Sequence, residues 1–495
     1  MSATLRPFPR PVAEQLRSAL AEADYTVSGV RDRLGDTAAR ALARDQLRPA
    51  LRATGGEEPL GVLLRLWWLG YPVPERTVAN LLPLRELTDA GLLAAHEGEV
   101  RSRVRLEPRD LDGDRRGYLV SDFPVLPGQG TPDAQHVVRA GGASATLSSL
   151  LVDGPVERAL DLGTGCGVQA LHLAGRASEV YATDVNPRAL ELADISCALS
   201  GVDNVHLLQG SLYEPVADQR FDLIVSNPPF VITPDPARYP YRETEFPGDA
   251  FCAEVVRNAP DHLTEGGWCQ ILANWTHTDG ADWRDRVGSW VSGTGCSGWV
   301  VQRDSQDPAE YVELWLRDAC EHGTPEYDRR YDAWLGHFER EGVDGVGFGW
   351  ICLRNDAAQD ATVRVEELRH EVETPVGSYL PGVVDGAMTA HRLTDAALLS
   401  AHVAVASDVV EERVSVPGAP DPERILLRQR NGTRRVAQVG TVEAALASVC
   451  DGTMPVGPLL DVIAELTGRE TTEVRERTPD ILRSLIAEGF FRVAR

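Results

Sequence analysis

Ala159-Leu160-Asp161-Leu162-Gly163-Thr164-Gly165-Cys166-Gly167 carries an apolar strand into a turn with a glycine at every second position. Glycine reaches positive φ without steric cost and lets a ligand come close to the backbone. A helix is expected from Val168 onward. In doubly wound α/β folds, ligands bind beyond the carboxyl ends of the strands, and this turn falls at such an end.

Working outward, further short apolar runs alternate with helical stretches. The strands are read at Arg158–Leu162, Glu179–Thr183, Val205–Leu208, Phe221–Ser226 and Gly267–Leu272. Strands separated by helices imply a parallel, doubly wound sheet. Asp184 ends the second strand, 21 residues after Gly163. That spacing suits an acid that accepts both hydroxyls of a ribose, in a dinucleotide or in another adenosine-bearing cofactor.

Ser226-Asn227-Pro228-Pro229-Phe230 follows the fourth strand. A planar NH2 whose lone pair is delocalised into an amide or a base is a poor nucleophile. Two acceptors holding its N–H bonds draw the nitrogen toward tetrahedral geometry. The Asn227 side-chain oxygen and the Pro228 carbonyl are suited to that task. Pro228 and Pro229 stiffen the backbone, and Phe230 offers a face for stacking.

On these motifs, residues 136–355 resemble the class I S-adenosylmethionine-dependent methyltransferases. Within them the chain is similar to the Asn-Pro-Pro-aromatic N-methyltransferases. That group includes release-factor glutamine methyltransferases, ribosomal-RNA guanine and adenine N-methyltransferases, and DNA adenine methyltransferases. The resemblance implies S-adenosyl-L-methionine as cofactor and a Rossmann-like sheet. It implies that Asp161, Gly163, Gly165 and Gly167, with Thr164 in the same turn, line the methionine part. Asp184 would then bind the ribose and Val185 would lie on the adenine. Asn227, Pro228, Pro229 and Phe230 would orient the acceptor nitrogen, with Asn227 also bordering the cofactor. Where the family often has Gly-Asp after the third strand, this chain has Gly210-Ser211-Leu212. Ser211 and Leu212 are therefore the adenine-side candidates. Gly141–Thr146 is a second candidate segment, expected to close over the cofactor.

Composition narrows the alternatives. The chain has 495 residues and a net charge of −25, and all 49 basic residues are arginine. Without lysine there is no P-loop and no internal Schiff base. No run of about 18 apolar residues is present, so no membrane span is expected; the longest candidate, Leu60–Tyr71, is interrupted by Arg65. The first residues lack the apolar core of a signal peptide. The eight cysteines form no CxxC pair, and HExxH is absent. These features predict a reduced, cytoplasmic protein with no structural metal.

Charge is unevenly spread. Residues 1–118 hold 18 Arg against 17 acids, whereas residues 119–358 hold 16 against 36. The middle block repels free polyanions at long range.

Residues 1–120 read as helices followed by a hairpin, with Arg101–Arg105 and Gly117–Val120 as strands. Residues 121–135 read as a Pro/Gly-rich linker. Residues 359–495 carry the hairpin signal Asn431-Gly432, helical stretches near 441–467 and 471–488, and a last strand at 490–493. The expected architecture is thus a methyltransferase sheet at 136–358 between N- and C-terminal helical, winged-helix-like domains.

Other residues invite a role. Tyr239, Tyr241, Arg242 and Phe246 follow the Asn-Pro-Pro-Phe loop and are weighed equally as substrate contacts or surface loop. His262 and His277 read as structural, and Trp275, Trp283 and Trp290 as core. Asp307, Glu310, Tyr311 and Glu313 read as a solvated helical face.

The expected function is N-methylation of a planar amide or exocyclic amine, with an RNA base first. Phe230 and the arginine strand suit a base and its phosphates, while the acidity and the lack of a basic stripe speak against them. Alternatives are a protein glutamine side chain and a small-molecule amine. A dehydrogenase would want GxGxxG rather than GxGxG and would leave the Asn-Pro-Pro-Phe loop idle. A non-catalytic cofactor-fold protein has no use for an intact Asn227.

Overall fold

A computed structural model describes residues 5, 8–44, 46–111, 115–125, 132–234, 243, 246–318, 325–356, 361–418 and 421–494. The chain divides into two compact units. One comprises residues 1–148, 154–283 and 304–349; the other comprises 149–153, 284–303 and 350–495.

The first unit begins with helices α1 (Arg10–Glu22), α2 (Val27–Leu42), α3 (Arg48–Ala53) and α4 (Pro59–Leu63). The last of these runs on into a π-helical turn at Leu64–Trp68. The apolar stretch Leu60–Tyr71 is α4 and this turn, and its Leu63, Leu64, Leu66 and Trp67 are buried in the core. No helix among the described residues is long and apolar enough to cross a membrane.

Next come β1 (Val73–Pro74), α5 (Glu75–Ala79), α6 (Leu84–Asp89), β2 (Leu93–His96) and β3 (Glu99–Ser102), in a sheet ordered β1-β3-β2. A separate antiparallel hairpin follows, β4 (Arg105–Asp110) with β5 (Arg116–Ser121). The expected single strand Arg101–Arg105 is therefore two strand ends. The chain turns at Arg103 and Val104, where the Ser102 hydroxyl donates to the Val104 carbonyl at 2.5 Å. Alternating arginines suggested one extended run, but Val104 is fully buried and anchors the bend.

After α7 (Gly142–Leu150) the alternation of strand and helix sets in: β6 (Val156–Leu162), α8 (Val168–Leu173), β7 (Ala177–Asp184), α9 (Pro187–Ser200), β8 (Val205–Gln209), β9 (Phe221–Ser226), α10 (Ala250–Asn258) and β10 (Leu263–Thr278). These five strands are parallel neighbours in the order β8-β7-β6-β9-β10. The order reverses direction at β6, so a crevice opens beyond the carboxyl ends of β6 and β9.

α9 is buried on nearly every side, through Ala189, Leu192, Ala193, Ile195, Cys197 and Leu199. A helix apolar all round needs cover on two faces. The sheet covers one. The β4–β5 hairpin covers the other: the Val120 and Tyr118 amides donate to the Ser196 and Ser200 hydroxyls, both at 2.9 Å. One apolar core therefore runs from Leu5 to Val202. Beyond α11 (Trp283–Ser292) and β11 (Ser297–Gln306), α12 (Pro308–Asp318) and α13 (Pro325–Glu341) form a helical pair before β12 (Val343–Arg354).

In the second unit, β13 (Val363–Glu367) pairs in parallel with Gly298–Gln302 of β11. Helices α14 (Leu380–Arg392) and α15 (Asp395–Ser400) lead to β14 (His402–Val405). Strands β15 (Val409–Val414), β16 (Arg424–Gln429) and β17 (Val436–Val439) form an antiparallel meander. Its second turn carries the expected Asn431-Gly432, with Gly432 at φ 65°. Helix α16 (Thr441–Val449) ends at a strand, β18 (Asp451–Pro455), before α17 (Val456–Thr467). The stretch near 441–467 is thus two helices rather than one, because Asp451-Gly452 breaks the helical period, with Gly452 at φ 86°. α18 (Thr471–Ala487) and β19 (Phe491–Val493) close the chain, and β14 lies between β18 and β19.

Candidate active site

The glycine turn joins β6 to α8. Gly163, Gly165 and Gly167 have φ of 77°, 55° and 86°. The amides of Gly163 and Thr164 both donate to the Thr183 carbonyl at 2.9 Å, which pins the turn to the end of β7. The three glycines serve different ends. A Cβ added at Gly163 or Gly165 would meet nothing within 4 Å, so the turn borders open space. At Gly167 it would lie 3.2 Å from the Ala193 Cβ, so that glycine permits close packing of α8 on α9.

Asp161 lies near the end of β6, beside the turn. It is 1% exposed. Its Oδ2 accepts the Thr164 hydroxyl at 2.6 Å and the Ala170 amide at 3.0 Å. Burial raises its pKa to about 7, against the opposing pull of those two bonds. Asp161 and Thr164 hold the turn to the first turn of α8 from within.

Asp184 ends β7. One carboxylate oxygen accepts the Gly165 amide and the other the Asn186 amide, both at 2.9 Å. Burial raises its pKa, while those backbone donors work the other way. With about four lone-pair sites and three backbone donors, the carboxylate keeps capacity for an incoming hydroxyl. Val185, the next residue, is 54% exposed. Ser211 and Leu212 are half-buried, and Leu212 sits at φ 49° after Gly210, whose amide donates to the Asp184 carbonyl at 3.1 Å. The strand ends thus bring Asp184, Val185, Ser211 and Leu212 to one rim of the crevice.

Asn227 leaves β9 at the same level. Ser226 is in register with Leu162, and its hydroxyl donates to the Leu162 carbonyl at 2.7 Å. The Asn-Pro-Pro-Phe loop and the glycine turn therefore start side by side. Pro228 is buried; Pro229 and Phe230 are half-buried. The Phe230 ring meets Trp315 edge-on, with centroids 6.4 Å apart. The Asn227 Oδ1 atom is buried and has no hydrogen-bond partner among the described residues. Buried polar atoms in folded proteins are nearly always paired, so an orphaned acceptor beside an open crevice invites a donor.

Gly141 precedes α7, and Gly142–Thr146 form its first turns, exposed except at Ser144. The segment is gripped by Gln169, whose amide donates to the Ser144 carbonyl at 2.8 Å. His262 is bound to the Gln219 carbonyl and stacks on Tyr213 at 4.4 Å. His277 and Trp275 both stack on Trp283, and Trp290 is buried, so these residues build the core. Phe246 packs against Phe251 at 5.3 Å. Tyr239, Tyr241 and Arg242 lie outside the described residues. Seven cysteines are free and buried, and Cys320 lies outside the described residues.

The expectation for α12 needs correction. Tyr311 is fully buried and not part of a solvated face. Charges at Asp307, Glu310 and Glu313 masked an inner face on which Tyr311 packs against Trp334, Phe338 and Phe348.

Comparison with known proteins agrees with this geometry. Residues 140–281 match the methyltransferase small domain family. This part of the chain is similar to that family. Residues 22–103 match a domain of unknown function, DUF7059. A release factor glutamine methyltransferase of Geobacter sulfurreducens is 31% identical over 191 residues, covering 36% of this chain and 65% of the relative. Its counterpart in Xylella fastidiosa is 36% identical over 187 residues, covering 36% of this chain and 66% of the relative. A ribosomal protein uL3 glutamine methyltransferase of Bradyrhizobium diazoefficiens is 37% identical over 137 residues, covering 24% of this chain and 43% of the relative. The chain thus spans just under two thirds of the length of the first two relatives, and well under half of the third.

Proposed function

We propose that this chain transfers a methyl group from S-adenosylmethionine to the side-chain amide nitrogen of a glutamine in a protein. The observation that carries the reading is the buried, unpartnered Asn227 Oδ1 beside the glycine turn. The curated relatives act on glutamine, in release factors and in a ribosomal protein, and so favour an amide over the RNA base expected first. The acidic middle of the chain points the same way, because it disfavours a polyanion.

The residues fit the cofactor. Gly163 and Gly165 leave room against the backbone, and Asp184 keeps free lone pairs for ribose hydroxyls. Bound S-adenosylmethionine supplies an electrophilic methyl group on sulfur. Asn227 Oδ1 and the Pro228 carbonyl accept the two N–H bonds of the target amide. That draws the nitrogen lone pair out of conjugation and aims it along the line of attack. The nitrogen held there would take the methyl group, leaving the sulfur as S-adenosylhomocysteine, and would give its surplus proton to water. Most of the rate gain comes from positioning and fixed dipoles. In this reading residues 136–358 are the methyltransferase domain, and residues 1–120 and 359–495 flank it.

The test incubates the protein with methyl-labelled S-adenosylmethionine and pools of release factors, ribosomal proteins and RNA, and identifies the product by mass spectrometry. Methylglutamine is the expected product. Label in RNA alone would overturn the proposal, as would no label in any pool. Asn227→Ala should lower kcat by about 100-fold or more while leaving cofactor affinity within about threefold of the parent.

A further inference from the structure

We infer that the α12–α13 pair forms the acceptor-side wall of the site, and that Tyr311 is a positioning residue that holds the Asn-Pro-Pro-Phe loop in its working shape. The inference rests on the acceptor reading of Asn227.

Tyr311 bridges two elements of the site. Its hydroxyl oxygen accepts the Ile232 amide at 2.9 Å and the Asn274 side-chain amide at 3.3 Å. Ile232 is two residues past Phe230 and five past Asn227. That amide bond therefore fixes the far end of the loop, while Ser226 fixes its near end on β6. The prolines between leave little freedom once both ends are held.

Asn274 belongs to the same corner. β10 follows β9 in register as far as Ile271 opposite Ser226, so Asn274 lies just past the level at which the loop departs. Asn274 is 1% exposed, and its Oδ1 has no hydrogen-bond partner among the described residues. Donating its NH2 to Tyr311 sets which way that carboxamide faces. The corner thus holds two buried carboxamide oxygens, those of Asn227 and Asn274, that find no partner among the described residues.

Trp315 is one helical turn beyond Tyr311 and shares its face. Its ring meets both Tyr311 and Phe230. A single helix face therefore sets the loop backbone through Tyr311 and the Phe230 ring through Trp315. The aromatic packing of Tyr311 with Trp334 and Phe338 makes the pair of helices rigid enough to do so.

The variant that tests this is Tyr311→Phe, which keeps the ring and removes both hydrogen bonds. Three measurements are made on the full chain. Hydrogen exchange of the Ile232 amide should speed up by about tenfold or more. Binding of S-adenosylhomocysteine by calorimetry should stay within about twofold, since no cofactor-side group is touched. Methyl transfer should lose about tenfold in kcat with KM changed by less than about threefold. Unchanged exchange at Ile232 overturns the inference, and so does faster exchange with unchanged kcat. Loss of cofactor affinity in step with kcat also overturns it, because that is the signature of general loosening. If the parent protein methylates no acceptor, the function reading fails by itself, and the exchange measurement still decides whether Tyr311 holds the loop.

Discussion

Asp161 keeps a carboxyl group in the interior beside a turn that must stay open. Its pKa of about 7 in the fold stands well above the 3.8 of a free side chain, because burial penalises the charge more than two hydrogen bonds relieve it. Below about pH 3 the group is largely neutral in both folded and unfolded chains. As pH rises from there toward 7, the unfolded chain sheds the proton while the folded chain retains it. Stability from this group therefore falls across that window and levels off above it. Asp161→Asn removes the titration. Relative to the parent, its melting temperature should decline less between pH 4.5 and 7.5, by roughly 5 °C. Parallel melting curves for the two proteins would refute the assignment. The acid and the glycines were legible in the sequence as a constellation. Which way the carboxylate points was not, because Thr164 and Ala170 claim it through the local turn of the chain.

Among the elements, the seam between the β4–β5 hairpin and α9 has one costly contact. Arg188 of α9 donates through Nε to both oxygens of Asp122, at 3.0 and 3.1 Å, and both side chains are nearly buried. Removing one partner leaves a buried charge. Asp122→Ala should cost about 3–5 kcal/mol in chemical denaturation. Replacing the pair together, by Asp122→Leu with Arg188→Met, should recover most of that loss. An additive loss in the double variant would show that the pair does more than neutralise itself.

Elements with a strong period were readable. β6, β7, β8 and β9 fall within two residues of their expected bounds, since apolar runs between helices leave little choice. β18 was not readable, because Asp451-Gly452-Thr453-Met454-Pro455 has no strand signature and is held by its neighbour β14. The role of Tyr311 was hidden for the same kind of reason. Its partners lie 37 and 79 residues away, so no local pattern announces them.

At the scale of the whole molecule, the N-terminal region shares with helices α8 and α9 a core that runs from Leu5 to Val202. A truncated chain of residues 136–495 would bare the face of α9 that the β4–β5 hairpin covers. We expect it to aggregate, or to melt well below the full chain, in size-exclusion chromatography and circular dichroism. A monomeric fragment with the parent's melting temperature would refute this. The same shared core sets a schedule for synthesis. The β4–β5 hairpin leaves the ribosome complete at Ser121, yet the helix it rests on ends at Ser200. At about 5–20 residues per second, the hairpin waits roughly 4–16 s with its apolar face uncovered. For that interval the nascent chain depends on whatever shields it, and slowing translation between these two points should lower the yield of folded protein.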